Sequence, residues 1–135
     1  MTSAGWALQK AMHAKLVADA ALKTLIGDPP RIHDAAAARG PFPFVTFGDA
    51  RETKIPGADA LREHDIRLSV HSHYEGRREV KDIVIAILNA LDDAPLILDG
   101  FALISLRATF ADIIHRQEPD AHHGLIRFRA VTEKL

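Results

Sequence analysis

The chain has 135 residues, 47% of them hydrophobic and 26% charged, with a formal net charge of −1. That length and apolar content suit a single domain over residues 1–135 with a real core, and the near-neutral charge argues against a protein that works by gripping nucleic acid, which needs a basic excess. No cysteine is present, which excludes disulfide staples, thiolate nucleophiles and Cys-based metal sites and suits a cytoplasmic product.

Ser3 is placed to cap a first helix, and Leu8, Met12, Leu16 and Ala20 recur along one apolar stripe, with Val17 beside them. Gln9, Lys10, His13, Lys15, Asp19 and Lys23 interrupt this region, so it is neither a signal-peptide core nor a membrane span. No other run approaches the roughly 18 apolar residues a span needs. Gly27 and Asp28-Pro29-Pro30 stop the helix. A short strand is expected at Arg31 to Asp34, then a linker of small residues from Ala35 to Phe44, then a strand at Phe44 to Thr53.

Pro56-Gly57 marks a turn. The strand after it has the clearest alternation in the chain: His64, Ile66, Leu68 and Val70 face one way, and Asp65, Arg67, Ser69 and His71 the other. His64 reads as a strand-end residue. From Gly76, a second helix carries Val80, Ile83, Val84, Ile87, Leu88 and Leu91 at helical spacing and ends at Asp92-Asp93-Ala94-Pro95. A short strand at Leu96 to Leu98 turns at Asp99-Gly100. Ile104, Leu106, Ala108 and Phe110 then alternate with polar residues. The last strand sets Ile126, Phe128 and Ala130 against Arg127, Arg129 and Val131, after a polar connection containing Glu118-Pro119-Asp120 and His122-His123-Gly124. The expected class is α+β: a mostly antiparallel sheet with two main helices packed on one face.

The search for chemistry assigns no catalytic residue and no cofactor. The glycines are scattered at turns rather than gathered in a phosphate loop, and neither His-Glu-x-x-His nor Gly-x-Ser-x-Gly occurs. Asp92/Asp93 and Glu118/Asp120 are carboxylate pairs, but a helix end and a proline loop explain them. His71 and His73, two apart in a strand, would present two imidazoles side by side. They found the one enzymatic alternative, a small metal-dependent enzyme. Exposed or interfacial histidines are the favoured reading. Arg77, Arg78 and Lys81 crowd a helix start, where the dipole disfavours cations. Arg107, Arg127 and Arg129 share the polar sheet face, and the favoured reading pairs them with acidic residues of a neighbouring subunit.

Several segments together resemble a known family. They are the N-terminal helix, Gly40-Pro41-Phe42-Pro43-Phe44-Val45-Thr46-Phe47-Gly48 leading into a strand, Leu68-Ser69-Val70-His71-Ser72 followed by Gly76-Arg77-Arg78-Glu79-Val80-Lys81, and the terminal Gly124-Leu125-Ile126-Arg127-Phe128-Arg129-Ala130 strand. In this order they resemble the tail-completion, or tail-terminator, proteins of long-tailed phages and gene transfer agents, over roughly residues 4 to 132. The resemblance implies a homo-oligomeric ring, typically a hexamer, at the head–tail junction of a phage-like particle assembled in the bacterial cytoplasm. Its partners would be the tail tube protein and a head connector or stopper. DNA would pass through without sequence-specific binding, and no membrane is involved. Another neck or head-completion protein of the same particle is the near alternative. On that reading Arg77, Arg78, Lys81, Arg107, Ile113, Ile114, Arg127 and Arg129 are candidate interface residues. The loop from Ile55 to Ala60 and the connection from Asp112 to His123 are candidate axial protrusions.

Overall fold

The computed structural model describes residues 3–34, 41–73, 77–117 and 120–135. The element order is α1 (Ala4–Val17), α2 (Ala20–Ile26), β1 (Ile32–Asp34), β2 (Phe44–Lys54), β3 (Leu61–Ser72), α3 (Arg78–Leu91), β4 (Phe101–Gln117) and β5 (Asp120–Lys134). The strands form one sheet in the order β1-β2-β3-β5-β4. Among the described strands, the β1–β2 pair alone is parallel; β2–β3, β3–β5 and β4–β5 are antiparallel. The expected α+β class, with helices packed on one sheet face, is what the chain adopts.

The expected first helix is two helices. Ala18 ends α1, and the Asp19 side chain accepts a hydrogen bond from Leu22 N at 3.0 Å, capping a new helix. A capping carboxylate satisfies amides that have no intrahelical partner, so the chain gains by restarting there. The break turns Ala20 outward, off the stripe that Leu8, Met12 and Leu16 bury. Ser3 caps α1 as expected, through Trp6 N.

The core lies between the helices and one sheet face. Val80, Ile83, Ile87 and Leu91 of α3 meet Leu68, Val70, Ile126 and Phe128, with Leu8, Met12 and Leu22 closing the layer. Gly124 lets α3 sit close to the sheet. A Cβ there would come within 2.9 Å of Val80 and Val84 and 3.3 Å of Val70. The expected sides of β3 are the observed ones, and Ser72 Oγ ties its end to α3 by donating to Glu79 Oε1 at 2.6 Å.

Four further expectations change. Leu96 to Leu98 is not a strand: it makes one isolated bridge, Leu98 to Phe101, across the Asp99-Gly100 turn. The alternation expected for Ile104 to Phe110 fails because the β4 register slips between Leu103 and Ser105 and between Ala108 and Phe110. Each slip inserts an extra residue, which resets the side-chain period. Leu106 and Ala108 therefore pack inward while Ile104 and Phe110 are exposed. The polar connection from Asp112 to His123 is mostly strand, with β4 running to Gln117 and β5 starting at Asp120. His64 is not at a strand end but inside β3, paired with Ala130 of β5. The linker residues 35–40, the helix opener Gly76 and the pair Glu118-Pro119 lie outside the described residues.

Candidate functional site

The sheet face turned away from the helices carries most of the residues singled out above. Arg127 and Arg129 project from it on β5, with Arg107 opposite Arg129 on β4. Within the single chain each already meets a carboxylate. Arg129 Nη2 donates to Glu63 Oε2 at 3.0 Å, Arg127 Nε lies 3.2 Å from Asp65 Oδ1, and Arg107 Nε is 3.3 Å from Asp92 Oδ1. The Arg127–Asp65 pair is a contact of charges rather than an aligned hydrogen bond, since that carboxylate oxygen has no bonded partner. Arg129 holds the Glu63 carboxyl below the usual carboxylate range. Arg51, Arg67 and Arg127 line a polar depression with Asp49 and Asp65 beside the irregularity in β2. Such surface pairs fix side-chain direction but add little stability.

The other candidate cations sit at the start of α3. Arg77 occupies the N-cap without a capping hydrogen bond. Arg78 reaches Asp82 at only 3.9 Å, and Lys81 is exposed. Ile113 is half-buried against the core and Ile114 is exposed on the outer face, so the two alternate across β4 rather than sharing a contact.

β3 ends at Ser72, so His73 lies just past the strand. His71 stacks on Phe44 with centroids 4.6 Å apart, and His73 stacks on Phe42 at 3.5 Å. His71 also contacts His123 at 4.7 Å, and its Nε2 shares a hydrogen bond with Thr46 Oγ1 at 3.2 Å. The result is an aromatic and imidazole band across β2, β3 and β5. Among the described residues no three His, Asp or Glu side chains converge as a metal site. Of the carboxylates considered for acid–base work, Asp92 Oδ1 accepts from Ala108 N at 2.9 Å; the main-chain N of Asp93 donates to Leu106 O at 2.8 Å.

Three features escaped the sequence reading. His64, only 2% exposed, bonds Thr132 Oγ1 through Nε2 at 2.9 Å and faces Glu52 Oε1 from Nδ1 at 3.7 Å. Burial lowers its pKa; Glu52 opposes that shift and Arg62 adds to it. Alternation had put His64 on the apolar side, but its partner lies 68 residues away. Trp6 stands half out of α1 over a mostly apolar groove of about 410 Å³, lined by Gln9, Lys10, His13, Asp34 and Phe47. Ile97 is 94% exposed between half-buried Leu96 and buried Leu98. An apolar triplet with period-two geometry was the available signal for its exposure.

No described helix is long and apolar enough to cross a membrane. The chain is 26% identical over 126 residues to the tail completion protein gp17 of Bacillus phage SPP1, spanning 91% of this chain and 90% of that protein. Its fold matches a chain in the virion of a native gene transfer agent particle, with a TM-score of 0.83 and 28% identity. That match covers 98% of this chain and 99% of the other. The family described as Tail completion protein gp17 matches residues 10–133, and the chain therefore belongs to the tail completion protein gp17 family.

Proposed function

We propose that this chain is a structural component of a phage-type tail. It assembles as a ring, taken as a hexamer, on the head-proximal end of the tail tube, stops tube polymerisation and offers the opposite surface to a head connector or stopper. DNA passes through the ring without being read. The supporting observation is the end-to-end fold likeness to a chain of a gene transfer agent particle.

The described surfaces suit such a role. A ring subunit needs two different lateral surfaces and two axial ones. Here the helices cover one sheet face, and the other keeps an arginine–carboxylate lattice, the Phe42–His73 band and exposed Phe110 and Ile114. The cations Arg77, Arg78 and Lys81 sit apart from these and are assigned to an axial partner with acidic residues. No catalytic role is assigned; the Asp92 carboxylate holds the β4 backbone through Ala108 N.

Loss of the gene tests the reading. Particles lacking the chain are expected to carry overlong, unjoined tails. Unjoined tails of normal length would instead make it a head-side neck protein, and joined tails of normal length would remove the reading altogether.

A further inference from the structure

One carboxylate oxygen stands between the start of α1 and a buried imidazole. Glu52 Oε1 lies 3.7 Å from His64 Nδ1, and a Cβ built on Gly5 would meet the same oxygen at 3.5 Å. The missing side chain at Gly5 lets the first turn of α1 rest against Glu52. Residues 3–9 supply no acidic side chain, so Glu52 brings a negative charge to a helix start whose dipole favours one. Two cavities flank this contact. One, of about 340 Å³, is lined by Ser3, Ala4, Glu52 and Thr132 among others. The second, of about 180 Å³, has Gly5, Trp6, Glu52 and His64 in its wall.

His64 itself is enclosed. Its strand is paired on both sides, with His64 opposite Glu52 on β2 and Ala130 on β5, and Thr132 Oγ1 occupies Nε2 at 2.9 Å. A charged ring in that position needs water or a closer carboxylate. The strand ladders on either side resist opening, whereas the start of α1 is lightly held. Its first turn buries Ala4, Ala7 and half of Trp6, and Ser3 fixes it through Trp6 N at 3.1 Å and Ala7 N at 3.0 Å. Leu8, Met12 and Leu16, all fully buried, anchor the rest of the helix.

We propose that protonation of His64 releases the first turn of α1 from the sheet, which makes the helix start an acid-sensitive latch over β2. Two effects act together. The charged ring draws Glu52 Oε1 toward Nδ1 and away from Gly5, so the helix start loses its counter-charge. Parting the turn from β2 also brings water to the ring through the flanking cavities. The other charged groups nearby are Arg62 on the same strand, Arg51 on β2 and, around the larger cavity, Asp59 and Lys134. Residues 3–9 of α1 carry no titratable side chain. In the released state the solvated imidazole titrates near pH 6.5, whereas burial holds it below that value in the closed state. The closed turn is therefore favoured above about pH 6.5. Each pH unit below it raises the ratio of released to closed chains by up to about tenfold, until the closed-state pKa is reached. The latch belongs to the single chain and stands whether or not the chain forms a ring.

Amide hydrogen exchange of the full chain, expressed as protection factors from neutral to mildly acidic pH, tests the latch. The expected result is that the amides of Trp6 to Gln9 lose protection by up to about tenfold per pH unit, while those of α3 and β5 keep theirs. His64→Gln is expected to hold the Trp6 to Gln9 protection constant. His13→Gln, which removes the imidazole that α1 sets against Phe47, is expected to leave the loss intact. Constant protection in the wild type, a loss shared equally by α3, a loss that survives His64→Gln, or one abolished by His13→Gln overturns the proposal. A second measurement on the wild type covers the case in which His64→Gln does not fold. The His64 ring is titrated by NMR, and the loss of protection must level off at the pH where the ring is half protonated; a mismatch overturns the latch.

Discussion

A proton on His64 would have to sit among buried atoms, with Thr132 already using Nε2 and Glu52 too distant at 3.7 Å for a strong bond to Nδ1. Burial therefore keeps the ring neutral in the folded state and its pKa below the ordinary imidazole value. In the unfolded chain the same ring takes up a proton near pH 6.5. The unfolded state then binds more protons as pH falls, so the contribution of His64 to stability is full above about pH 6.5 and is lost as pH falls through the lower, folded pKa. Thermal melts across mildly acidic pH are expected to fall more steeply for the wild type than for His64→Gln, which retains a polar group facing Thr132 without titrating. Parallel curves for the two proteins would show that His64 is not the titrating group. The Glu63–Arg129 pair acts in the same direction at lower pH, since its carboxyl pKa is also depressed, but both groups are exposed and salt screens them.

At the scale of elements, close approach of α3 to the sheet depends on Gly124. Adding one methyl there places it inside van der Waals contact with Val80 and Val84, and neither the helix nor the central strands can retreat without opening the core. Gly124→Ala is expected to cost about 1–3 kcal/mol, read as a lowered melting temperature with unchanged secondary structure. An unaltered melting temperature would mean that the helix has slack the packing does not suggest. Periodicity made α3, β3 and β5 legible because each keeps one unbroken repeat of buried residues against the core. It failed on β4, where two extra residues reset the alternation and expose Ile104 and Phe110. Those bulges answer to pairing with β5, which is a property of two segments together. The division of the first helix was more accessible. Asp19 stands three residues before Leu22, a spacing that suits an N-cap, but the continuing apolar stripe hid it.

Across the whole molecule, the sequence conveyed the family through the order of its segments, while the surfaces that would carry assembly depend on tertiary placement. Arg107, Arg127 and Arg129 were visible as one charged face, but Glu63, Asp65 and Asp92, which pair with them, come from β3 and the end of α3. Ile97 and Trp6 stand out only in the folded chain, which leaves both exposed. The central claim is that this chain works as a ring at one place in a particle, and imaging purified particles by electron cryomicroscopy tests it most directly. The account predicts density for this fold as a closed ring between the last tail-tube layer and the head connector. Density for the chain elsewhere along the tail or in the capsid, or its absence from complete particles, would contradict it.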